Sequence, residues 1–181
     1  MTRTTYYTAT TLDGFIADEH DSLDWLFVQD IDEAGPMNYT EFIAGIGALV
    51  MGATTYEWVV AHLADSGEAW PYDMPAWVVS HRELSGVDGA DVRFHAGDVA
   101  PLHAEMATAA GGKDLWVVGG GDLAGQFADA GLLDEVVVSI APVTLGVGRP
   151  IFPRRFDLRM TELAQNGAFA CVRYEVLAAR P

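Results

Sequence analysis

The sequence predicts an α/β fold: a mixed, mostly parallel sheet with helices on both faces and a C-terminal antiparallel hairpin. Three observations predict it. Short apolar runs alternate with helix-compatible segments as far as residue 141, the pattern of a parallel sheet covered on both sides. Several of those runs stop at glycine or at a polar cluster, and a helix start follows. Residues 158–165 and 169–178 alternate apolar and polar positions, as an antiparallel pair does.

The elements follow in order. Residues 4–11, TTYYTATT, are β-rich and end at the turn signal Leu12-Asp13-Gly14. Residues 17–37 are polar and acidic and carry Gly35-Pro36, so they read as a long loop with one short helix near Asp24-Trp25-Leu26. Residues 38–46 suit a short helix with Asn38 or Thr40 as N-cap. Ala48 to Met51 is a buried strand broken by Gly52, and Thr54 caps a helix to about His62. Residues 63–74 form a loop. Ala76 to Val79 is a second buried strand, ending at Ser80-His81-Arg82, and Asp91 to Phe94 is a third. Asp98 caps a helix to Ala110. Asp114 to Val118 is an apolar strand that runs straight into Gly119-Gly120-Gly121, with a helix from about Asp122 to Ala130. Glu135 to Ala141 is a strand, and Pro142 to Pro153 is a loop leading to the hairpin.

Size and composition narrow the function. The 181 residues fall within the range of one domain, so residues 1–181 read as a single unit, and half of them are hydrophobic. The one cysteine, Cys171, lies in an alternating segment and reads as a small core residue. No long apolar run suggests a membrane span, and the N-terminus does not resemble a signal peptide, so a cytoplasmic location is expected. The formal net charge of -16 argues against nucleic acid or an anionic membrane as partner and leaves a small molecule. His20, His62, His95 and His103 lack metal-ligand spacing, so no metal is expected. Trp58, Trp70 and Trp77 read as packing residues, whereas Trp25 sits in the long loop and is a candidate for substrate contact.

Four segments carry candidate chemistry. Leu115 to Leu123 is a strand, three glycines and a helix start. Glycine lets backbone approach a ligand closely, and a helix N-terminus offers free N–H groups to a phosphate. Met51-Gly52-Ala53-Thr54-Thr55-Tyr56-Glu57 repeats the arrangement. Ser80, His81 and Arg82 could together hold a phosphate. Thr10 to Ala17 is the fourth. Each alone also reads as a plain turn, and the glycine spacing is not the dinucleotide fingerprint GxGxxG. All four fall at the C-terminal ends of expected strands, the edge where open α/β sheets bind ligands.

Together the segments resemble the dihydrofolate-reductase-like superfamily, and within it the reductase domain of the bifunctional riboflavin-biosynthesis deaminase-reductase. The matching stretches are TLDGFIA at 11–17, DWL at 24–26, MGATTYE at 51–57, VVSHREL at 78–84, LWVVGGGDL at 115–123 and APVTLGVGRPIF at 141–152. The resemblance implies NADPH as cofactor. Gly119, Gly120, Gly121, Asp122 and Leu123 would flank its ribose and pyrophosphate. Gly52, Ala53, Thr54 and Thr55 would meet its phosphates, and Ser80, His81 and Arg82 its adenosine 2′-phosphate. Thr8, Ala9, Ile16 and Ala17 would border the nicotinamide. Asp13, Trp25 and Asn38 are the candidate catalytic residues, the 18–27 loop would cover the substrate, and a homodimer is implied. The resemblance also implies a cis peptide between Gly119 and Gly120.

The departures from the family pattern are specific. Asn38 is neutral where folate reductases carry a carboxylate, so folate reduction is not expected. Ala53 replaces the usual arginine, Asp122 puts an acid where a base is common, and Tyr7 stands where the riboflavin-pathway reductase usually has lysine. The leading expectation is hydride transfer from NADPH to a small heterocyclic or carbonyl-like acceptor. The rivals are a nucleotide-binding module with little turnover, and a flavin- or deazaflavin-dependent reductase.

Overall fold

The computed structural model describes residues 2–177. Ten strands and five helices follow in chain order among the described residues: β1 (Thr4–Thr11), β2 (Phe15–Ala17), α1 (Asp24–Phe27), α2 (Tyr39–Ala44), β3 (Ile46–Gly52), α3 (Ala53–Ser66), β4 (Ala76–Val79), β5 (Val92–His95), α4 (Val99–Ala109), β6 (Asp114–Gly119), α5 (Gly121–Asp129), β7 (Glu135–Ala141), β8 (Arg149–Pro150), β9 (Leu158–Asn166) and β10 (Phe169–Val176). Eight strands form one sheet in the order β5-β4-β3-β6-β1-β7-β10-β9. Pairings from β5 through β7 are parallel, and β10 is antiparallel to both β7 and β9. This is the mixed, mostly parallel sheet with a C-terminal hairpin that the sequence predicts.

The burial pattern explains the central strands. β3 is buried at every position but Gly52, because helices cover both faces. Alternate residues of each strand feed opposite layers. Tyr6, Val50, Leu115 and Val117 pack with Leu102 and Met106 of α4 and Phe127 of α5. Leu49, Met51 and Trp116 pack on the other face with Tyr56 of α3 and with Phe42 and Ile43 of α2. Each fully buried Leu or Val contributes about 1.5–3 kcal/mol. A third cluster joins Trp25 of α1 to Ala141, Phe169 and Cys171, which makes Cys171 the core residue expected.

Several boundaries differ from expectation. β3 begins at Ile46, two residues early, and α3 runs on to Ser66. Gly52, not Thr54, is the N-cap of α3, and no side chain caps it. Asp98 does occupy the N-cap of α4, yet its side chain makes no capping bond. β5 lies one residue later than read, and α5 starts one residue sooner. Of the expected hairpin's last strand, residue 178 lies outside the described residues. Asn38 caps α2 as anticipated, its Oδ1 accepting from the Glu41 N–H at 2.9 Å. The β2–β8 ribbon was not foreseen: Phe15 pairs with Pro150 and Ala17 with Arg149. Segments this short, set among glycines and a proline, give no periodicity to read.

Candidate active site

Because β4, β3, β6 and β1 are consecutive and parallel, their C-terminal ends lie side by side. Met51 of β3 pairs with Gly119 of β6, and Gly52 with Val79 of β4. Two helices begin at this edge, α3 after Gly52 and α5 after Gly120. Both N-caps are glycine and neither start has a side-chain cap, so first-turn N–H groups at both face outward without one. A methyl group placed on Gly52 would lie 3.7 Å from the Gly119 carbonyl oxygen and 3.8 Å from the Gly120 nitrogen, so the two turns touch. The Gly119–Gly120 peptide is cis.

The three glycines have three different surroundings. Gly119 has φ 154°, a conformation that favours glycine. Gly120 has ordinary φ, and a methyl group there would meet only Ile16 Cδ1, at 3.9 Å. Gly121 is buried against the β8 end, where a methyl group would collide with the carbonyl oxygens of Ile151 and Pro150. Next in line, Asp122 accepts from Arg154 at 2.7 Å and from Gln126 at 2.9 Å, so its charge is already met. Leu123 is buried in the α4–α5 layer.

The remaining cofactor candidates spread around this edge. Ile16 and Ala17 belong to β2, which brings Ile16 beside Gly120 and Ala17 against Gly148. Thr55 Oγ1 lies 3.5 Å from where a methyl group on Gly119 would sit. Ala53 and Thr54 occupy the first turn of α3. The Thr8 hydroxyl donates to the Ala9 carbonyl at 3.3 Å, and Ala9 packs on the Trp25 cluster. After β4, the Ser80 hydroxyl accepts from the Arg82 N–H at 2.9 Å, and His81 is exposed. The Arg82 guanidinium forks onto the Glu57 carboxylate of α3 at 2.9 and 2.8 Å. Both side chains are exposed, so the pair is weakly held and open to competition.

The three catalytic candidates are not brought together as an acid–base group. The Asp13 carboxylate accepts from the Thr11 hydroxyl at 2.6 Å, the Gly146 N–H at 2.7 Å and the Leu145 N–H at 3.1 Å. The Thr11 hydrogen bond leads in holding its carboxyl below the usual range, so it is an anion near neutrality and cannot serve there as a proton donor. It clamps the 11–14 turn to the loop after β7. Both ends of the Asn38 amide are engaged, Oδ1 at the α2 cap and Nδ2 on the Gly35 carbonyl at 2.8 Å. Trp25 is buried, and its indole N–H has no hydrogen-bond partner among the described residues. Close by, Tyr7 stacks on Phe42 with centroids 4.2 Å apart and donates to the Met37 carbonyl at 2.9 Å. Burial pushes its phenol up to about 12, so it stays protonated.

A cleft of about 530 Å³ opens between α3 and the segment from residue 20 through α1. His20, Asp21, Asp24 and Phe27 line one side, and Thr54, Glu57, Trp58 and His62 the other. Phe27, Trp58 and His62 present nearly parallel rings, within 17° of one another at centroid separations of 4.9 to 6.3 Å. Thr54 stands at the start of α3, so the cleft adjoins the glycine edge.

The chain matches the RibD C-terminal domain family over residues 4–171. It belongs to that family. The YwjB protein of Bacillus subtilis (strain 168), which is uncharacterized, is 28% identical over 150 residues, covering 83% of this chain and 82% of its own length. A crystal structure from Shewanella sp. PV-4, provisionally described as a riboflavin biosynthesis protein, superposes with TM-score 0.81 at 25% identity, covering 97% of this chain and 99% of that one. The dihydrofolate reductase of Enterococcus faecalis, solved with NADP(H), gives TM-score 0.57 at 14% identity, covering 96% of each chain. The fold is therefore dihydrofolate-reductase-like, as the sequence implies.

Within this RibD-family chain, the sequence reading did not anticipate the cleft or the Arg149–Asp21 pair beside it. Trp58, half-buried, and His62, exposed on the face of α3, both line the cleft. A signal existed: Thr54, Glu57, Trp58 and His62 recur at helical spacing on one face of α3. Arg149, which forks onto Asp21 at 2.6 and 3.1 Å, gave no comparable signal, because the two lie far apart in the chain.

Proposed function

We propose that this protein is an NADPH-dependent reductase that passes hydride to a small heterocyclic or carbonyl-like acceptor. The observation that carries the reading is the pair of touching glycine turns, each opening a helix without a side-chain cap. Space for a ligand lies where side chains at Gly52 and Gly120 would otherwise stand. Gly52, Ala53 and Thr54 would hold one part of the pyrophosphate through first-turn N–H groups, and Gly120 with Gly121 the other. Ile16 and Ala17 would border the nicotinamide, with Thr8 and Ala9 beneath it. Ser80, His81 and Arg82 would take the 2′-phosphate, which must displace Glu57 from Arg82. The bound cofactor supplies hydride; the chain orients the reactants and excludes water. The NADP(H) of the Enterococcus faecalis enzyme and the provisional riboflavin assignment of the Shewanella protein support this reading.

Calorimetric titration with NADPH and NADH is the direct test. NADPH binds more tightly, and Arg82→Ala removes most of the difference. Equal affinities for both cofactors in the unmutated protein overturn the 2′-phosphate assignment. We further propose a cytoplasmic enzyme in which residues 1–181 form one domain. It would pair as a homodimer through the edge strand β9, where Leu158, Met160 and Leu163 are exposed. A second reading, a nucleotide-binding module with little turnover, is favoured by one observation: neither Asp13 nor Asn38 is free to give a proton. Cofactor oxidation over pterin, pyrimidine and quinone acceptors separates the two readings.

A further inference from the structure

We propose that the cleft between α1 and α3 is the acceptor site and that it selects a planar, cationic nitrogen heterocycle without a phosphate or carboxylate. The inference rests on the reductase reading for its redox partner and on the cleft itself for its chemistry. The cavity is large enough for a two-ring heterocycle. Phe27 is 62% exposed although it lies parallel to Trp58 and His62, so a broad aromatic face is left open to a flat ligand. Such faces attract cations through the ring quadrupole.

The charges point the same way. Among the described residues, no lysine or arginine lines the cleft, while Asp21, Asp24 and Glu57 do. Arg149 partners Asp21, and Arg82 partners Glu57. The Asp24 side chain is exposed and makes no hydrogen bond or ion pair among the described residues, so no protein partner offsets its charge. When a 2′-phosphate takes Arg82, Glu57 is released as a second free anion on the opposite wall. Cofactor binding thereby raises the attraction for a cation and the repulsion of an anion. Among the described residues, the positive side chains that a phosphorylated acceptor would meet at this cleft are already paired, Arg149 with Asp21 and Arg82 with Glu57.

The reaction chemistry agrees with the residues. A cationic ring that receives a hydride at the carbon beside its charged nitrogen forms one C–H bond, and the π electrons of the C=N bond move onto nitrogen. The product is a neutral dihydro ring, and the oxidised nicotinamide carries away the positive charge. No proton is required. That matches a chain in which Asp13 is held ionised and the Asn38 amide is engaged at both its oxygen and its nitrogen.

The test uses three probes on one ring frame: N-methylquinolinium, quinoline and quinoline-4-carboxylate. Calorimetry measures the binding of each to the full chain, with and without NADPH. The cation is expected to bind about tenfold more tightly than the neutral ring, and the carboxylate most weakly. NADPH should widen the gap. Asp24→Asn should lower affinity for the cation severalfold and leave quinoline and NADPH affinities unchanged, whereas Phe27→Ala should weaken both quinolinium and quinoline. Equal affinities for the three probes, or an Asp24→Asn protein that binds the cation as before, overturn the proposal. Selective cation binding without cofactor oxidation upholds the site and overturns the reductase reading instead.

Discussion

At the scale of single residues, the triple glycine divides into separable roles. In Gly120→Ala the new methyl group meets only Ile16 Cδ1 in ordinary contact, so the melting temperature should hardly move. The same methyl group would stand where the cofactor approaches, and NADPH affinity should fall about tenfold or more, about 1.4 kcal/mol at least. Gly121→Ala should instead lower the melting temperature, because the β8 backbone must shift to admit it, at a cost of about 1–3 kcal/mol or more. Thermal unfolding and calorimetry on the two variants check the division; loss of both properties in both variants would refute it. The sequence makes the three glycines one signal. Their difference depends on Ile16 and on Ile151, which come from segments with no periodicity to place them. His103 gives a second residue-scale prediction. Its Nε2 lies 2.9 Å from the Thr4 hydroxyl, and burial, opposed by Asp134, holds its pKa below the ordinary 6.5. The unfolded chain therefore takes up the proton first. The contribution to stability is complete above 6.5 and is lost as pH falls through the lowered folded value. Urea unfolding from about pH 7 to about pH 5 should reveal this slope, and His103→Gln should flatten it.

At the scale of elements, the legible parts are those with a period or a sharp stop. β4 and β7 match their expected bounds, and the strand–glycine–helix junctions at Gly52 and Gly119 were visible because apolar runs end there. The cleft was less legible. It needs α1 to face α3, and a four-residue helix inside an acidic loop does not disclose which way it packs. The start of α2 carries a prediction of its own. Asn38 is only 4% exposed and closes the turn from Gly35 as well as capping the helix. Asn38→Ala should cost about 1–2 kcal/mol in urea unfolding. Because neither end of this amide is free and it carries no charge, dihydrofolate should not raise NADPH oxidation above the rate without acceptor. Brisk dihydrofolate turnover would place the proton source elsewhere and overturn this account of Asn38.

At the scale of the whole molecule, the charge of -16 sets how the anionic cofactor arrives. Long-range repulsion slows encounter and salt screens it, so the NADPH association rate should rise between low and moderate ionic strength, as stopped-flow fluorescence would register. A falling rate would point instead to a local positive patch steering the cofactor. The strand order has another consequence, for the chain as it is made. β1 is synthesised first but lies between β6 and β7, with Thr4 paired to Leu115 and Thr5 to Glu135. At about 5–20 residues per second, TTYYTATT waits on the order of ten seconds for its neighbours to leave the ribosome. During that interval it is a bare, uncharged, proline-free β-former, the composition most apt to stick to other nascent chains. Growth temperature and translation speed should therefore govern how many molecules mature, while leaving the activity of each mature molecule unchanged.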